Sequence, residues 1–300
     1  MKLLVYGTSH IDRLGKILNR TSEVEIINLN ELVKEKRKII RIKNVILNVL
    51  KADAIYTTFC GLYSKINFTI FFISKIQKKV TINHWIGTDV LFAQKDVQRT
   101  RKMQKYIKYN FAGSQLLQGE LKEIGIESEV VPIVLSDISI NISKMPNEHA
   151  VLVYLPKGRE EFYGYDIVKQ LIHDYSDIFF YIVANDKSSL FDSSNARMLG
   201  NVPVERMDDI YDKISILLRI PAHDGLSMMV LEALAKGKSV IYKYDFPYTY
   251  KASNYVETKE VLTRIISKGP PKPNFEASKY IAKNYKSESY ISKILETINA

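Results

Sequence analysis

Short apolar, β-prone runs recur along the chain at Lys2–Tyr6, Val24–Leu29, Ala54–Phe59, Lys79–Asn83, Tyr109–Ala112 and Glu129–Ile133. Between them the apolar positions switch to helical spacing, over Ile11–Asn19, Glu31–Lys51, Asp96–Lys108 and Gln115–Ile124. Strand and helix patterns alternating in this way predict parallel sheet with crossover helices. The alternation stops over Ser136–Asn147, a polar stretch broken by Pro146. It then restarts. Strands are expected at Ala150–Leu155, Ile178–Val183, Ile214–Ile220 and Ser239–Tyr242, and helices at Asp166–Tyr175, Val204–Lys213 and Ser227–Lys236. A Pro-rich break, Gly269–Pro273, precedes a last helical stretch, Glu276–Ile298. The expected fold is α/β, with two facing Rossmann-like domains at residues 1–140 and 148–275. Residues 276–300 are expected to form a helix returning to the first domain. A ligand cleft is expected at the C-terminal ends of the strands.

Composition changes this picture only at the edges. The 300 residues are 46% hydrophobic and 25% charged, which excludes collagen-like and low-complexity chains. The single cysteine, Cys60, cannot form an internal disulfide, so a reducing compartment is expected. The N-terminal residues lack the apolar core of a signal peptide, and the most apolar window, Ile66–Ile76, is far short of a membrane span. A cytoplasmic protein is the expectation.

Charge is more informative. Of the net +10, residues 1–140 carry 22 Lys and Arg against 13 Asp and Glu, and the remainder carries 21 against 20. The first half is therefore expected to meet an anionic partner. Leu32–Lys51 combines Lys34, Lys36, Arg37, Lys38, Arg41, Lys43 and Lys51 with apolar residues at helical spacing. A second cluster, Ile70-Phe-Phe-Ile73, is flanked by Lys65, Lys75, Lys78 and Lys79. Two readings stay open. Either these faces rest on an anionic membrane surface, at the inner face of a membrane, or they pack on the domain's own sheet while the cations meet water. Nucleic acid is not an expected partner, because no nucleic-acid module is visible and the aromatics are not interleaved with the cations.

Candidate chemistry concentrates in Leu218–Gly237. A buried strand ends at Pro221, Asp224 and Gly225 follow, and Ser227 is placed to cap a helix. The amides of Gly225, Leu226, Ser227 and Met228 would face the strand ends, where an anion or a sugar hydroxyl can be held. Glu232 falls about a turn and a half into that helix, expected opposite a packing face of Met228 and Leu231. After the first strand of the second half, Lys157 and Arg159 read equally as phosphate ligands or as solvated charges. His84, at a strand end beside Gly87, reads equally as a site residue or a core histidine. His223 and His10 are weaker candidates, and Cys60 reads as a core residue rather than a nucleophile. No metal site is expected. Asp-x-Asp and Cys-x-x-Cys are absent and the histidines lack metal-ligand spacing.

Asp224-Gly225 followed by Glu232-Ala-Leu-Ala-Lys-Gly237 and an apolar strand resembles the acidic-x7-acidic pattern of GT-B glycosyltransferases, particularly the retaining enzymes of family 4. The first acid is Asp where that family more often has Glu. Gly200-Asn-Val202-Pro resembles the family's Gly-x-Val turn, whose backbone faces the nucleotide base. His84-Trp-Ile-Gly-Thr-Asp89 resembles its His-Gly-Thr/Ser-Asp loop, and Gly7-Thr-Ser-His10 takes the place of the small-residue loop after the first strand. The resemblance implies transfer of a sugar, with retention and without a metal, from a UDP- or GDP-sugar to a glycan or lipid-linked acceptor. It implies no cofactor. Asp224 and His84 would be catalytic, Glu232 would bind the donor ribose, and Gly7, Val202, Lys157 and Arg159 would line the donor site. One feature departs: if Gly164 is the family glycine, Gly158 and Tyr163 occupy the places of the family's diphosphate-binding Arg and Lys. A non-catalytic sugar-nucleotide-binding subunit and a GT-B-fold epimerase are the alternatives.

Overall fold

A computed structural model of the protein describes all residues except Ser9, 19–23, 59–64, 135–137 and 139–141, and omits the side chains of His10, Lys16 and Lys65. The chain divides into two compact units, Met1–Asp137 with Lys286–Ala300, and Ile138–Tyr285. Cys60 and the end of the expected strand Ala54–Phe59 lie outside the described residues.

Unit 1 runs β1 (Lys2–Tyr6), α1 (His10–Leu18), β2 (Glu25–Asn28), α2 (Leu29–Leu32), α3 (Lys38–Lys51), β3 (Ala54–Thr58), α4 (Lys65–Ile76), β4 (Val80–Trp85), α5 (Thr88–Lys95), α6 (Val97–Gln104), β5 (Tyr109–Ala112), α7 (Gln115–Glu123) and β6 (Glu129–Val130). Its six strands are all parallel, in the order β2-β1-β3-β4-β5-β6. Unit 2 contains β7 (Ala150–Tyr154), α8 (Tyr165–Asp174), β8 (Phe179–Val183), β9 (Ala196–Met198), α9 (Met207–Tyr211), β10 (Ile216–Arg219), α10 (Met228–Ala235), β11 (Ser239–Tyr242), β12 (Tyr250–Lys251), α11 (Tyr255–Ile266) and α12 (Phe275–Asn284). Its six parallel strands follow the order β12-β11-β10-β7-β8-β9. The last helix, α13 (Ser287–Asn299), belongs to unit 1.

The central strands are buried on both faces, as continuous apolar runs in parallel sheets require. All five residues of β3 are buried, and in β7 only Tyr154 is not fully so. In unit 2 two apolar layers result. Val151, Val153, Leu218 and Ile241 point to α8 and α11, while Leu152, Leu217 and Val240 point to α10 and α12.

Several boundaries differ from the pattern-based reading, each for a local reason. The expected helix Glu31–Lys51 is two helices, because Lys34-Glu-Lys-Arg37 offers no apolar position to hold a helix on the sheet. Helix α5 was not expected; Asp96 then caps α6 by accepting the Arg99 amide. Strand β6 is two residues rather than five, since Pro132 has no amide to donate. The expected helix Val204–Lys213 begins as a 3-10 turn at Val204–Arg206. The terminal stretch 276–300 is not one helix. Helix α12 packs its Ala277 and Ile281 into unit 2, and only α13 belongs to unit 1.

Gly7 ends β1 with a φ of +146°, and a Cβ there would come within 1.8 Å of the Thr58 carbonyl oxygen on β3. Gly119, in contrast, is exposed on α7 with nothing within 4 Å of a Cβ. Replacing Gly7 by Ala is therefore expected to lower stability by about 3 kcal/mol or more. Replacing Gly119 by Ala should raise it by about 0.5–1 kcal/mol. Denaturant unfolding of both variants checks this; a Gly7→Ala chain as stable as its parent would contradict the close approach.

Candidate functional site

In unit 2 the chain leaves β7 toward β8 and β9 on one side, and returns to build β10, β11 and β12 on the other. The loops after β7 and β10 therefore diverge, and an open α/β sheet takes its ligand at such a reversal of strand order. Tyr154 closes β7, Arg219 closes β10 and Tyr242 closes β11. The Arg219 side chain is only 9% exposed, and its Nε donates to the Asp224 carboxylate at 2.9 Å. Its guanidinium lies 5.1 Å from the ring centres of both Tyr154 and Tyr163. Burial, then the charge of Asp224, pushes the Tyr242 hydroxyl well above its ordinary range. Asp224 is thus anchored at the strand ends rather than loose in solvent.

The loop beyond Asp224 is tightly held. Gly225 is buried, and Leu226 adopts a φ of +87°, a left-handed conformation that costs a non-glycine residue on the order of 1–3 kcal/mol. Ser227 caps α10, its hydroxyl accepting the Met229 amide at 3.2 Å. The Ser227 and Met228 amides are donors that a helix start leaves over, with the positive end of the helix dipole behind them, and the Gly225 and Leu226 amides lie in the loop just before. Helix α10 does not have the single packing face expected for it: Val230, Leu231, Ala233, Leu234 and Ala235 are all buried. Glu232 is the half-buried break in that apolar surface. Its Oε2 accepts from the Tyr211 hydroxyl at 2.8 Å. Burial and then the Glu232 charge push that hydroxyl well above its usual range.

The expected donor-site residues Lys157, Arg159 and Val202 also fall beyond the C-terminal ends of unit 2 strands. Lys157 and Arg159 lie exposed on the loop after β7. Lys157 pairs with Asp186 at 2.9 Å across solvent, an arrangement worth little by itself. Arg159 stacks over Phe162 at 4.5 Å and Tyr163 at 5.5 Å. Tyr163 therefore has two guanidinium groups against it, from Arg159 and Arg219. Arg219, an arginine within an otherwise apolar strand, packs near the strand end, as its place in the sequence suggests. Val202 is half-buried beyond β9, in a turn anchored by the Ala184 amide on the Gly200 carbonyl at 2.7 Å. Gly200 there has a φ of +65°.

Two of the candidates belong to unit 1. Gly7 ends β1, where the strand order again reverses, and its amide donates to Asn30 Oδ1 at 3.2 Å. His84 is fully buried, with Nδ1 2.6 Å from the Tyr56 hydroxyl, which lies 2.7 Å from the Tyr290 hydroxyl of α13. Phe111 packs against the same imidazole at 5.6 Å. The geometry thus gives His84 a core environment. Asp89, at the end of the same motif, is buried and accepts the amides of Ile86, Gly87 and Val90. Burial raises its carboxyl to about 6 against those bonds. The His10 side chain lies outside the described residues.

Two cavities, of 490 and 600 Å³, lie elsewhere, along α11 and at the N-terminal edge of β3 and β4. Among the described residues no group of three His, Cys, Asp or Glu side chains is placed to hold a metal ion.

No family model matches the chain, and no curated protein matches its sequence. Solved structures do. A mutant of S. aureus TarM, in complex with Fondaparinux, alpha-GlcNAc-glycerol and UDP, aligns with a TM-score of 0.65 at 12% identity over 87% of this chain and 59% of that one. The chain thus spans about three fifths of TarM's length. The lipopolysaccharide outer core galactosyltransferase WaaB aligns at 0.68 and 14% identity over 99% of both chains. A UDP-GlcNAc 2-epimerase from Neisseria meningitidis, bound to UDP-GlcNAc, aligns at 0.56 and 16% over 99% of both. Two Rossmann-like units built on parallel six-stranded sheets give the protein the α/β fold of GT-B glycosyltransferases.

The Arg219–Asp224 pair makes a direct prediction. Asp224→Leu leaves a guanidinium almost buried without its carboxylate and should cost about 3–5 kcal/mol. Arg219→Met combined with Asp224→Leu should recover most of that loss. A double-mutant cycle by urea unfolding measures the coupling; additive losses would show that the two groups do not depend on each other.

Proposed function

We propose that this protein is a sugar-nucleotide-dependent glycosyltransferase. The observation that carries the reading is the convergence, at the strand-order reversal of unit 2, of the Asp224–Arg219 pair, the open start of α10 and Glu232. In the proposal, Glu232 takes the donor ribose hydroxyls, Asp224 the sugar hydroxyls, and the Gly225, Leu226, Ser227 and Met228 amides the sugar or diphosphate. Val202 presents the base-facing turn. Lys157 and Arg159 supply positive charge to the diphosphate, compensating for Gly158 and Tyr163 at the expected cation places. The bond from the anomeric carbon to the diphosphate oxygen breaks and an acceptor oxygen bonds to the same face of that carbon. The acceptor proton passes to the departing phosphate oxygen. Charge on that leaving group is met by fixed amides and cations, without a metal. We assign His84 a supporting place beneath the acceptor side. The acceptor is a glycan or a lipid-linked saccharide, and the protein works on the cytoplasmic side of a membrane.

The alignment with a UDP-GlcNAc 2-epimerase favours a second reading, conversion of the nucleotide sugar itself. Incubating donor without acceptor separates the two, since an epimerase gives a new nucleotide sugar and a transferase does not. A non-catalytic binding subunit would bind donor and release no nucleotide with any acceptor.

Nucleoside diphosphates should raise the melting temperature, because a ligand of the native state stabilises it by mass action. Glu232→Ala is expected to weaken nucleoside diphosphate binding by about 1.5–3 kcal/mol, the scale of a lost charge-assisted hydrogen bond. Tyr211→Phe, which leaves the carboxylate in place, should cost less. Titration calorimetry decides, and a folded Glu232→Ala protein with undiminished affinity would remove this residue from the site. Transfer should also persist in excess EDTA; loss of turnover restored by Mg²⁺ or Mn²⁺ would refute metal independence.

A further inference from the structure

The basic half of the chain leaves an apolar surface uncovered. Helices α3 and α4 pack against each other in unit 1, and each buries only part of its apolar residues. On α3, Val45 and Val49 turn to the core, while Ile39, Ile42 and Leu50 stay exposed on the adjoining face, Ile39 at 83%. On α4, Ile70 and Phe71 are buried, while Phe68, Phe72 and Ile76 recur at i, i+4 and i+8 along an exposed stripe. The Phe68 and Phe72 rings stack at 5.7 Å, giving that stripe a firm aromatic surface. The alternative in which both faces are used up on the protein's own sheet does not hold for these residues.

Helices α3 and α4 carry cations and no acid, with Glu31, Glu35 and Asp53 lying just beyond the ends of α3. Lys36, Lys38, Lys43, Lys51 and Lys78 are all exposed on or beside the two helices. Between residues 65 and 79 there is no acid, and within 34–51 the one acid, Glu35, is bonded to Arg37. Not every cation is available, since Lys79 turns inward and donates to the Val49 and Leu50 carbonyls that end α3. The remaining arrangement, apolar side chains bordered by long cationic ones, matches a surface that is apolar a few ångströms deep and negatively charged at its face. Among the described residues no helix is long and apolar enough to cross a membrane, so such contact would lie in the plane of the interface.

We infer that the α3–α4 face of unit 1 docks on an anionic lipid bilayer, with Ile39, Phe68, Phe72 and Ile76 entering the headgroup layer and the lysines meeting lipid phosphates. The inference rests on the transferase reading only for its purpose, which is to hold the protein beside a lipid-linked acceptor; the contact itself follows from exposure and charge.

The test is co-sedimentation of the full chain with phosphatidylcholine vesicles that contain or lack phosphatidylglycerol. Each cation near an anionic surface is worth roughly fivefold in partitioning. Lys36→Glu/Lys38→Glu/Lys43→Glu should therefore lower binding by at least about tenfold. Phe72→Gln combined with Ile39→Gln should also lower it, and raising the salt from 0.1 to 1 M should release the protein as the screening length shrinks from about 10 to about 3 Å. All the substituted side chains are exposed, so unchanged melting temperatures verify the fold. Lys213→Glu/Lys272→Glu/Lys283→Glu, on unit 2, is the control for net charge and should bind as the parent does. Equal binding to neutral and anionic vesicles, no binding to either, or an equal loss in the control would overturn the inference. So would a self-association or a nucleic-acid affinity that the same substitutions abolish while vesicle binding is absent. Nucleotide-induced stabilisation of the same preparations reports on the donor site separately, so failure of either proposal is visible alone.

Discussion

The reversal of strand order in unit 2 is the constraint on which the candidate site depends. Because β7 and β10 are neighbours whose following segments depart to opposite sides, no crossover covers their C-terminal ends. That opening would expose polar backbone and a buried arginine unless the chain satisfied them locally. Arg219 is met by Asp224 and two tyrosine rings, and the start of α10 is met by Ser227. The amides at and just before the start of α10 lie beside this pair, and a run of such donors is the chemical complement of a diphosphate or a sugar hydroxyl.

The two acids of the motif differ in how they are held. Asp224 has a charged partner, so its carboxylate is fixed in position and partly neutralised. Glu232 is half-buried, and its carboxylate accepts from a neutral group, the Tyr211 hydroxyl. In the proposed reading, the rigidly held Asp224 positions sugar hydroxyls and Glu232 accepts from the paired hydroxyls of a ribose. The strained Leu226 between them is consistent with a loop whose shape is set by use rather than by local preference.

Much of this was legible in the order of residues. Continuous apolar runs separated by helical spacing gave both sheets, since buried parallel strands leave that pattern whatever their partners. Ser227 as a cap and the loop at Asp224-Gly225 were readable from residue type. Other features were not. Short edge strands such as β9 and β12 carry too few residues to show a period, and the break between α2 and α3 depended on four charged residues whose cost is felt only against the sheet. The ring pair around Arg219 joins Tyr154, Tyr163 and Arg219 from distant parts of the chain, and no spacing encodes it. Likewise, helical periodicity in Leu32–Lys51 showed that apolar residues share sides of a helix, but not that Ile39 would stay outside while Val45 went in.

The central claim is that unit 2 binds a nucleoside diphosphate at its strand-order reversal. Hydrogen–deuterium exchange with and without UDP and GDP tests it most directly, since ligand contact and the loss of local opening both slow amide exchange. The account predicts slowed exchange in the segment from Ala222 to Val230, with a second protected region at the Gly200–Val202 turn, for at least one of the two nucleotides. Unchanged exchange in both regions, with a nucleotide that demonstrably binds, would contradict it.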